Sequence, residues 1–556
     1  MADADVLVVG GGLAGLVACA ELTAAGRRVL LVEQEGAANL GGQAWWSFGG
    51  LFLVNSPEQR RWGIRDSADL AWRDWRGSAQ WDRLEDEDRW GAAWGEAYVA
   101  FAAGEKRAWL LEQGVRLTPL VGWAERGDGR EGGHGNSVPR FHLPWGTGTG
   151  ISGPFAAKAR AAAAAGLLGF RFRHRVDALV VEEGAVTGVR GTVLAPDDAP
   201  RGVASNRTGT GEFVLTAGAV VLATGGIGAD HALVRSMWPA RLGTPPATML
   251  TGVPAHVDGR MLAIAEAAGA RVVNKDRMWH YTEGVANHDP IWAGHGIRIL
   301  PGPSSVWFDA LGRRLPAPGI PGHDTLGTLR LLRADPDLAP YDHSWFVASQ
   351  KVVEKEFALS GSEQNPDLTD RDLRLLVRTR LGSGPTPPVA AFEERGEDWV
   401  VADDLPALVV GMNRITPQAP LDPAGIERQL RERDDQVMDR ASTDPQARSI
   451  RRGRATRSDR FTRVAAPHRI LDPKAGPLVA VRLRIVTRKT LGGIQTDLEG
   501  RALGADGRPF PGLYAAGEVA GFGGGGAHGY NALEGTFLGG CLFTGRVVGR
   551  SLAAAL

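Results

Sequence analysis

Four apolar residues, Val6 to Val9, run straight into Gly10-Gly-Gly-Leu-Ala-Gly15, which spells G-x-G-x-x-G at Gly10, Gly12 and Gly15. An Ala-rich stretch with helical spacing follows to Ala25, and Arg28 to Glu33 reads as a second buried strand that ends on an acid. Strand, glycine turn, helix and strand make a βαβ unit. In such a unit the first glycine permits the tight turn, the second lets a diphosphate approach backbone N–H groups, and the third lets helix and strand pack closely. Glu33 can accept hydrogen bonds from an adenosine ribose, and its charge would repel a ribose 2′-phosphate, which disfavours NADP. The unit predicts a dinucleotide site.

A chain of 556 residues is too long for one core and suggests two large domains. Its 63 basic and 63 acidic side chains cancel, so no positive field gathers nucleic acid or an anionic membrane, and small-molecule chemistry is expected. Cys19 and Cys541 fall in predicted helices at opposite ends, which is no disulfide framework, zinc site or haem-attachment pattern. No metal is expected. No apolar stretch approaches the ~18 residues of a membrane span, and Asp3 and Asp5 precede the first strand where a secretory signal would carry basic residues. A cytoplasmic location follows, and the sequon at Asn206 to Thr208 is read as accidental.

Further along, Asp66 to Gln113 has helical spacing and many tryptophans. Eleven of the 17 Trp precede residue 150, and they read as a bulky core in preference to an aromatic substrate wall. Residues 169 to 223 read as a strand meander with a polar loop from Ala195 to Gly211. Between 275 and 474 the texture turns Pro- and Gly-rich, and a charged helical stretch from Ala424 to Asp439 is expected to be a solvated face. Leu478 to Val486 and Gly512 to Ala516 return to strand character, and Phe537 to Ala555 reads as a closing helix. The predicted organisation is a discontinuous dinucleotide-binding domain, residues 1–274 and 475–556, with a second domain, 275–474, inserted in it.

Three more stretches narrow the nucleotide. Gly41-Gly42-Gln43 follows the second strand, Ala223-Thr224-Gly225 ends a later one, and Gly512-Leu-Tyr-Ala-Ala-Gly-Glu518 lies near the C-terminal end. With the first fingerprint they resemble the signature set of two-dinucleotide-binding-domain flavoproteins, an α/β class with a Rossmann-like FAD-binding domain. The resemblance implies FAD, held by Gly10, Gly12, Leu13, Ala14 and Gly15 with Glu33 and Gln34 at the adenosine end. It adds Gly41, Gly42, Gln43, Ser47, Gly49 and Gly50, then Val176, Ala223, Thr224 and Gly225, and finally Gly517, Glu518, Thr536 and Phe537, with Glu518 on the ribityl chain. Gly521 to Gly526 repeats G-x-G-x-x-G literally, but a glycine-rich loop follows instead of a helix, so no second nucleotide site is expected there. NAD(P)H as direct electron source is thereby unsupported.

More narrowly, the chain resembles the fumarate reductase and succinate dehydrogenase flavoprotein superfamily, which includes the 3-ketosteroid Δ1-dehydrogenases. The marks are Gly41 to Gly50, Asp258-Gly-Arg-Met-Leu-Ala-Ile-Ala-Glu-Ala-Ala-Gly269, Thr490-Leu-Gly-Gly493 and Gly512 to Glu518, with Leu359 to Asp367 and His528 to Phe537 resembling a ketosteroid dehydrogenase-like branch. This implies that the inserted domain is an α+β cap, with the substrate between cap and isoalloxazine ring. Departures matter too. Ala532 stands where fumarate reductases carry a carboxylate-clamping arginine, Gly312-Arg-Arg-Leu-Pro-Ala-Pro318 replaces the stretch before their proton-donating arginine, and the donor position falls near Gly322 to Asp324. A dicarboxylate would lose its bidentate partners. Gln43 to Gly50 contains no histidine for covalent attachment, so FAD is expected to be non-covalent.

Desaturation beside a carbonyl needs a base for the α-proton, a polarising group on the oxygen and a hydride acceptor. The ketosteroid dehydrogenases use tyrosines for the proton, which among the five here points to Tyr530 and Tyr281, with His280 beside the latter. Arg488 or Lys489 could stabilise a phenolate. Arg298, His528 and Asn531 are candidate substrate contacts, with a structural ion pair as the other role for Arg298. Ser362 to Asn365 reads as a loop tying cap to base. The expected activity is an FAD-dependent oxidoreductase acting on a CH–CH bond of an apolar, ketosteroid-like substrate, coupled to a small electron acceptor or donor. The alternatives are a fumarate reductase-like enoate or dicarboxylate reductase and a flavin-binding subunit without turnover.

Overall fold

Ala4–Val9 and Val29–Glu33 pair in parallel, Val6 against Val29 through Val9 against Val32, in the computed structural model, which describes residues 2–127, 133–381 and 384–556. The first sheet runs Arg501–Leu503, Pro509–Ala515, Gly209–Leu222, Ala4–Val9, Val29–Glu33, Leu168–Phe172, parallel except at its first pair. From Ala4–Val9 the chain builds outward one way through Val29–Glu33 and Leu168–Phe172, and the other way through Gly209–Leu222 and Pro509–Ala515. Strand order therefore reverses between Ala4–Val9 and Gly209–Leu222, and a crevice opens at their carboxyl ends. The helices Leu13–Ala24, Thr147–Ala164 and Thr536–Ala555 share one core on this sheet. The predicted meander is the antiparallel set His174–Glu182, Ala185–Leu194 and the first half of Gly209–Leu222.

A second sheet runs Val306–Phe308, His343–Ser349, Leu478–Thr490, Met278–Ala286, Gly296–Leu300, Ala358–Leu359, and Leu250–Thr251 and Trp399–Ala402 also pair with Leu478–Thr490. That strand lies in the segment assigned by sequence to the dinucleotide-binding domain, yet its hydrogen bonds are with the second sheet. An apolar run announces a strand but not the sheet it joins. Asp398, fully buried, ties this sheet together: it accepts from Arg482 Nε at 2.6 Å, Arg484 Nη2 at 2.8 Å and Ala286 N at 2.7 Å.

One reading of charge needs correcting, and one glycine cluster finds its reason in packing. The helix Pro423–Met438 is not wholly a solvated face, because Arg433 and Asp434 are buried. Arg433 donates to Ser304 O at 2.7 Å and His468 O at 3.1 Å, and Asp434 accepts from Ile470 N at 2.9 Å and Leu471 N at 3.1 Å, so both satisfy backbone that the helix covers. The glycines 521 to 526 do mark a close approach, but what approaches is protein: a Cβ on Gly524 would lie 2.4 Å from the carbonyl carbon of Trp90. Trp75 and Trp94 anchor the neighbouring chain, donating to Ala527 O and Asp497 O at 2.9 Å each, and with Trp109 they belong to the core, as their spacing suggested. Among the described residues, no helix is long and apolar enough to cross a membrane.

The start of helix Arg89–Ala103 is joined to the second sheet by Asp88 and Arg277, whose side chains are both 0% exposed and doubly hydrogen-bonded. Asp88→Ala leaves the Arg277 guanidinium buried with only the exposed Asp82 carboxylate for a partner. A loss of about 3–5 kcal/mol is expected, read as a lowered denaturation midpoint.

Candidate active site

The crevice at the strand reversal opens into a continuous cleft. Gly10, Gly12, Leu13, Ala14, Glu33 and Gln34 line one end. Helix Leu13–Ala24 starts there from Gly12 with no side-chain cap, which leaves free N–H groups and a partial positive charge at the cleft. A Cβ on Gly15 would stand 2.1 Å from the Gly10 carbonyl oxygen, whereas one on Gly12 would meet only Ala223 O, at 3.8 Å. Packing therefore demands glycine at 15; at 12 nothing in the chain does, and the open space is what a diphosphate would fill. Glu33 accepts from Gly11 N at 2.7 Å and Glu35 N at 2.9 Å, which fixes its carboxylate with lone pairs to spare for a ribose.

Gly42, Gln43, Ser47, Gly49, Gly50, Val176, Ala223, Thr224, Gly225, Gly517, Glu518 and Phe537 continue the lining. Three distant segments meet here: the Gln43 amide N–H donates to Glu518, Gln43 Oε1 accepts from Lys489 Nζ at 3.2 Å, and the second Glu518 oxygen accepts from Thr490 N at 2.9 Å. Burial lowers the Lys489 pKa, with Glu518 acting against it. Gly15, Gly41 and Thr536 stand behind the lining. Gly41 donates its N–H to Gly11 O at 2.9 Å, and the buried Thr536 hydroxyl bonds to Leu533 O. An uncapped helix start, a ribose-type carboxylate and a polar cluster farther along suit the phosphates, ribose and ribityl hydroxyls of FAD.

Beyond the polar cluster the cleft is lined by Tyr281, Arg298, Ser360, Arg488, Phe522 and Glu534. Arg298 is 3% exposed; it donates to Glu534 at 2.7 Å, lies 3.4 Å from Glu283 and 3.3 Å from the Thr325 hydroxyl, and stacks 3.8 Å from the centre of the Tyr281 ring. Among the described residues, no hydrogen bond engages the Tyr281 hydroxyl. Burial, then the Glu534 charge, raises its pKa above the ordinary phenol value against Arg298 and Arg488, so it is a donor at neutral pH and not a base. Arg488 is held by its backbone N–H on His280 Nδ1 at 2.9 Å and by its guanidinium on Gly252 O. No carboxylate among the described residues pairs with it.

Four of the catalytic and substrate-contact candidates from the sequence do not line the cleft. Tyr530 lies outside it, its hydroxyl 3.0 Å from Asp82 and its ring between Arg241 and Arg277, at 4.5 and 4.1 Å. His280 is fully buried, and His528 is sealed among Trp75, Phe522 and Phe537; burial lowers both pKa values to about 3, which makes them neutral core residues. Asn531 donates to Ser78 O at 3.1 Å. The glycine-rich turn that carries Tyr530, Asn531 and His528 packs on the Trp-bearing helices, which draws these side chains away. Tyr281 and Arg298 do line the cleft, and Arg298 is at the same time a structural ion pair. Sequence reasoning missed Glu534, Glu283 and Glu125, since an isolated glutamate carries no local signal. Glu125 is 5% exposed; one of its oxygens accepts from Thr325 N and the other has no partner among the described residues.

Two variants separate packing from binding. Gly15→Ala is expected to lose about 1–3 kcal/mol of stability, and Gly12→Ala to keep the apoprotein's stability while losing FAD, scored by flavin absorbance after desalting. A third concerns pH. Burial raises the Glu125 carboxyl from 4.5 to about 8, with Arg298 opposing and Glu534 reinforcing the shift. Between those values the folded chain keeps a proton that the unfolded chain has lost, so this group's contribution falls as pH rises. Glu125→Gln should flatten the decline in that window, measured by denaturant titration across pH.

Residues 5–538 match the family model described as an FAD binding domain. The chain is 59% identical over 550 residues to a KsdD-like steroid dehydrogenase of Mycobacterium tuberculosis, covering 99% of this chain and 96% of the relative. It is 58% identical to one of Mycolicibacterium smegmatis, covering 100% of both. Among solved structures, 3-ketosteroid delta1-dehydrogenase from Sterolibacterium denitrificans, in complex with 1,4-androstadiene-3,17-dione, has a TM-score of 0.67 at 18% identity and full coverage of both chains. The 3-ketosteroid-delta4-(5alpha)-dehydrogenase from Rhodococcus jostii, in complex with 4-androstene-3,17-dione, has a TM-score of 0.61 at 18% identity, covering 99% of this chain and 96% of that one. A flavocytochrome c3 fumarate reductase has a TM-score of 0.62 at 20% identity, covering 99% of this chain and 78% of that one. At these identities the likeness is one of fold. With a family match across nearly its whole length, the chain belongs to the FAD-binding flavoprotein family that includes the KsdD-like steroid dehydrogenases, and it is an FAD-dependent oxidoreductase.

Proposed function

We infer that the protein is a dehydrogenase acting on a CH–CH bond next to the carbonyl of an apolar, ketosteroid-like substrate bound in the lobe of Tyr281, Arg298, Arg488 and Glu534. The observation that carries this reading is the Tyr281 hydroxyl: it is protonated, has no protein partner among the described residues, and belongs to the cleft that the cofactor shares. FAD, when bound, accepts or returns the hydride. The chain's own part is to aim the Tyr281 O–H at the substrate carbonyl, where it stabilises the charge that grows as the α-proton leaves. Arg298 under the ring fixes that aim, and the unpaired charge of Arg488 favours the enolate. The relatives' names supply the steroid class.

A dicarboxylate substrate is a poorer reading, because Glu534 and Glu283 already occupy Arg298 and leave Arg488 without a second guanidinium. On the favoured reading the second sheet and its helices are the cap, residues 275–474 joined by the strand Leu478–Thr490, and the electron acceptor is a small carrier. The cofactor contacts are those of the lining described above, with Gly12 at the diphosphate, Glu33 at the ribose and Glu518 at the ribityl chain.

Anaerobic mixing of the holoprotein with 4-androstene-3,17-dione and related ketosteroids should bleach the flavin. Reoxidation of reduced enzyme by fumarate, with no bleaching by any ketosteroid, would overturn the reading. Tyr281→Phe is expected to lower kcat by roughly 10²–10³, while Tyr530→Phe leaves it unchanged.

A further inference from the structure

Beside the substrate lobe, acids crowd around a single guanidinium. Glu534 lies 2.7 Å from Arg298 Nη1 and Glu283 lies 3.4 Å from its Nε. Glu125 reaches the same arginine through Thr325, accepting from the Thr325 N–H while the Thr325 hydroxyl accepts from Arg298 Nη2 at 3.3 Å. On the far side of Glu125, His134 and Asp324 bring their polar atoms within 4.8 Å of it and of each other, with His134 Nε2 3.2 Å from Asp324 Oδ1.

Glu125, Glu283 and Glu534 are 5%, 2% and 8% exposed. Three buried negative charges against one positive charge are strongly unfavourable in a low dielectric, so the group holds at least one proton. Glu125 is where it rests, because its second oxygen is buried without a partner. Burial pushes the Glu125 pKa up to about 8, with Arg298 opposing and Glu534, His134 and Asp324 also acting on it. Glu534 alone of the three glutamates lines the cleft, together with Tyr281 and Arg488.

We propose that Glu534 is the base for the substrate's α-proton and that Glu125, followed by Asp324 and His134, relays this proton out of the lobe. This rests on the ketone reading of the same site. In the step, the C–H bond at the α-carbon breaks and its proton forms an O–H bond on the Glu534 carboxylate. The electron pair moves into the C–C π bond of an enolate, whose oxygen accepts a hydrogen bond from Tyr281. As Glu125 gives up its resting proton toward Asp324 and His134 it takes the one from Glu534, which restores the Glu534 carboxylate, leaves Glu125 protonated as before and involves no redox change. Tyr281 acts as donor and Glu534 as acceptor, so the two proton-handling roles fall on different side chains.

The test uses anaerobic holoprotein in D2O with 4-androstene-3,17-dione, reading deuterium wash-in by mass spectrometry beside flavin absorbance. Glu534→Gln, whose amide oxygen can still accept from Arg298, is expected to lower wash-in by roughly 10²–10⁴-fold with FAD content unchanged, and Glu534→Asp to restore part of it. In substrate-free holoprotein at neutral pH, an infrared band of a protonated carboxyl should be present and should vanish in Glu125→Gln, where the amide keeps an oxygen for Thr325 N–H. Full wash-in by Glu534→Gln, or a band unaltered by Glu125→Gln, overturns the proposal. If the band behaves as expected but no ketosteroid exchanges deuterium or bleaches the flavin, the ketone reading fails, and with it the role of Glu534 as base, while the shared proton stands.

Discussion

The register of one strand, Leu478–Thr490, governs both halves of the molecule. It pairs with His343–Ser349, Trp399–Ala402, Met278–Ala286 and Leu250–Thr251, and its last residues, still paired with Met278 and Trp279, reach the cleft. Arg488 and Lys489 line the cleft, and Thr490 is bonded through its N–H to Glu518 and through its hydroxyl to Ile227 N, at 2.9 and 3.0 Å. A slip of one residue would send every side chain to the opposite face, taking the cation of the substrate lobe and the anchor of Glu518 with it. Buried neighbours on both sides oppose such a slip, and so the second sheet also positions the polar groups of the cleft.

Along the cleft the charge pattern changes character. At the adenosine end, free backbone N–H groups and one fixed carboxylate make a site for phosphate and ribose. The middle is neutralised internally, as Lys489, Gln43 and Glu518 satisfy one another. In the last lobe acids outnumber the paired base, and the exposed functional atoms are a phenol and an unpaired guanidinium. Polar donors held in place by buried neighbours lose little on meeting a transition state, since their reorientation has been accomplished by folding. That arrangement suits a substrate which is mostly apolar and carries a single oxygen to be recognised.

The parts legible in the sequence are those whose chemistry is local. The first βαβ unit, the meander, the closing helix and the glycine turns at 10–15, 41–50 and 223–225 each announce themselves within a few residues, because turn sterics and strand or helix period are short-range. Tyr281 was legible only through resemblance, as one of five tyrosines. Glu534 was not legible at all: it meets Arg298 across 236 residues of chain, and no spacing encodes that. Tyr530 misled because position along the chain says nothing of which side of a glycine turn a side chain takes. Leu478–Thr490 was recognisable as a strand but carries the same apolar signature in either sheet, and Arg433 and Asp434 look like surface charges until the backbone they cover is known.

The first and last helices of the nucleotide-binding sheet touch backbone to backbone. A Cβ on Gly545 would come within 2.4 Å of Ala14 O, and one on Gly549 within 3.0 Å of Ala18 O. Leu13–Ala24 thus rests directly on Thr536–Ala555, a helix far from it in the sequence. A side chain at either glycine would wedge the two helices apart and tilt the glycine turn that starts the first of them.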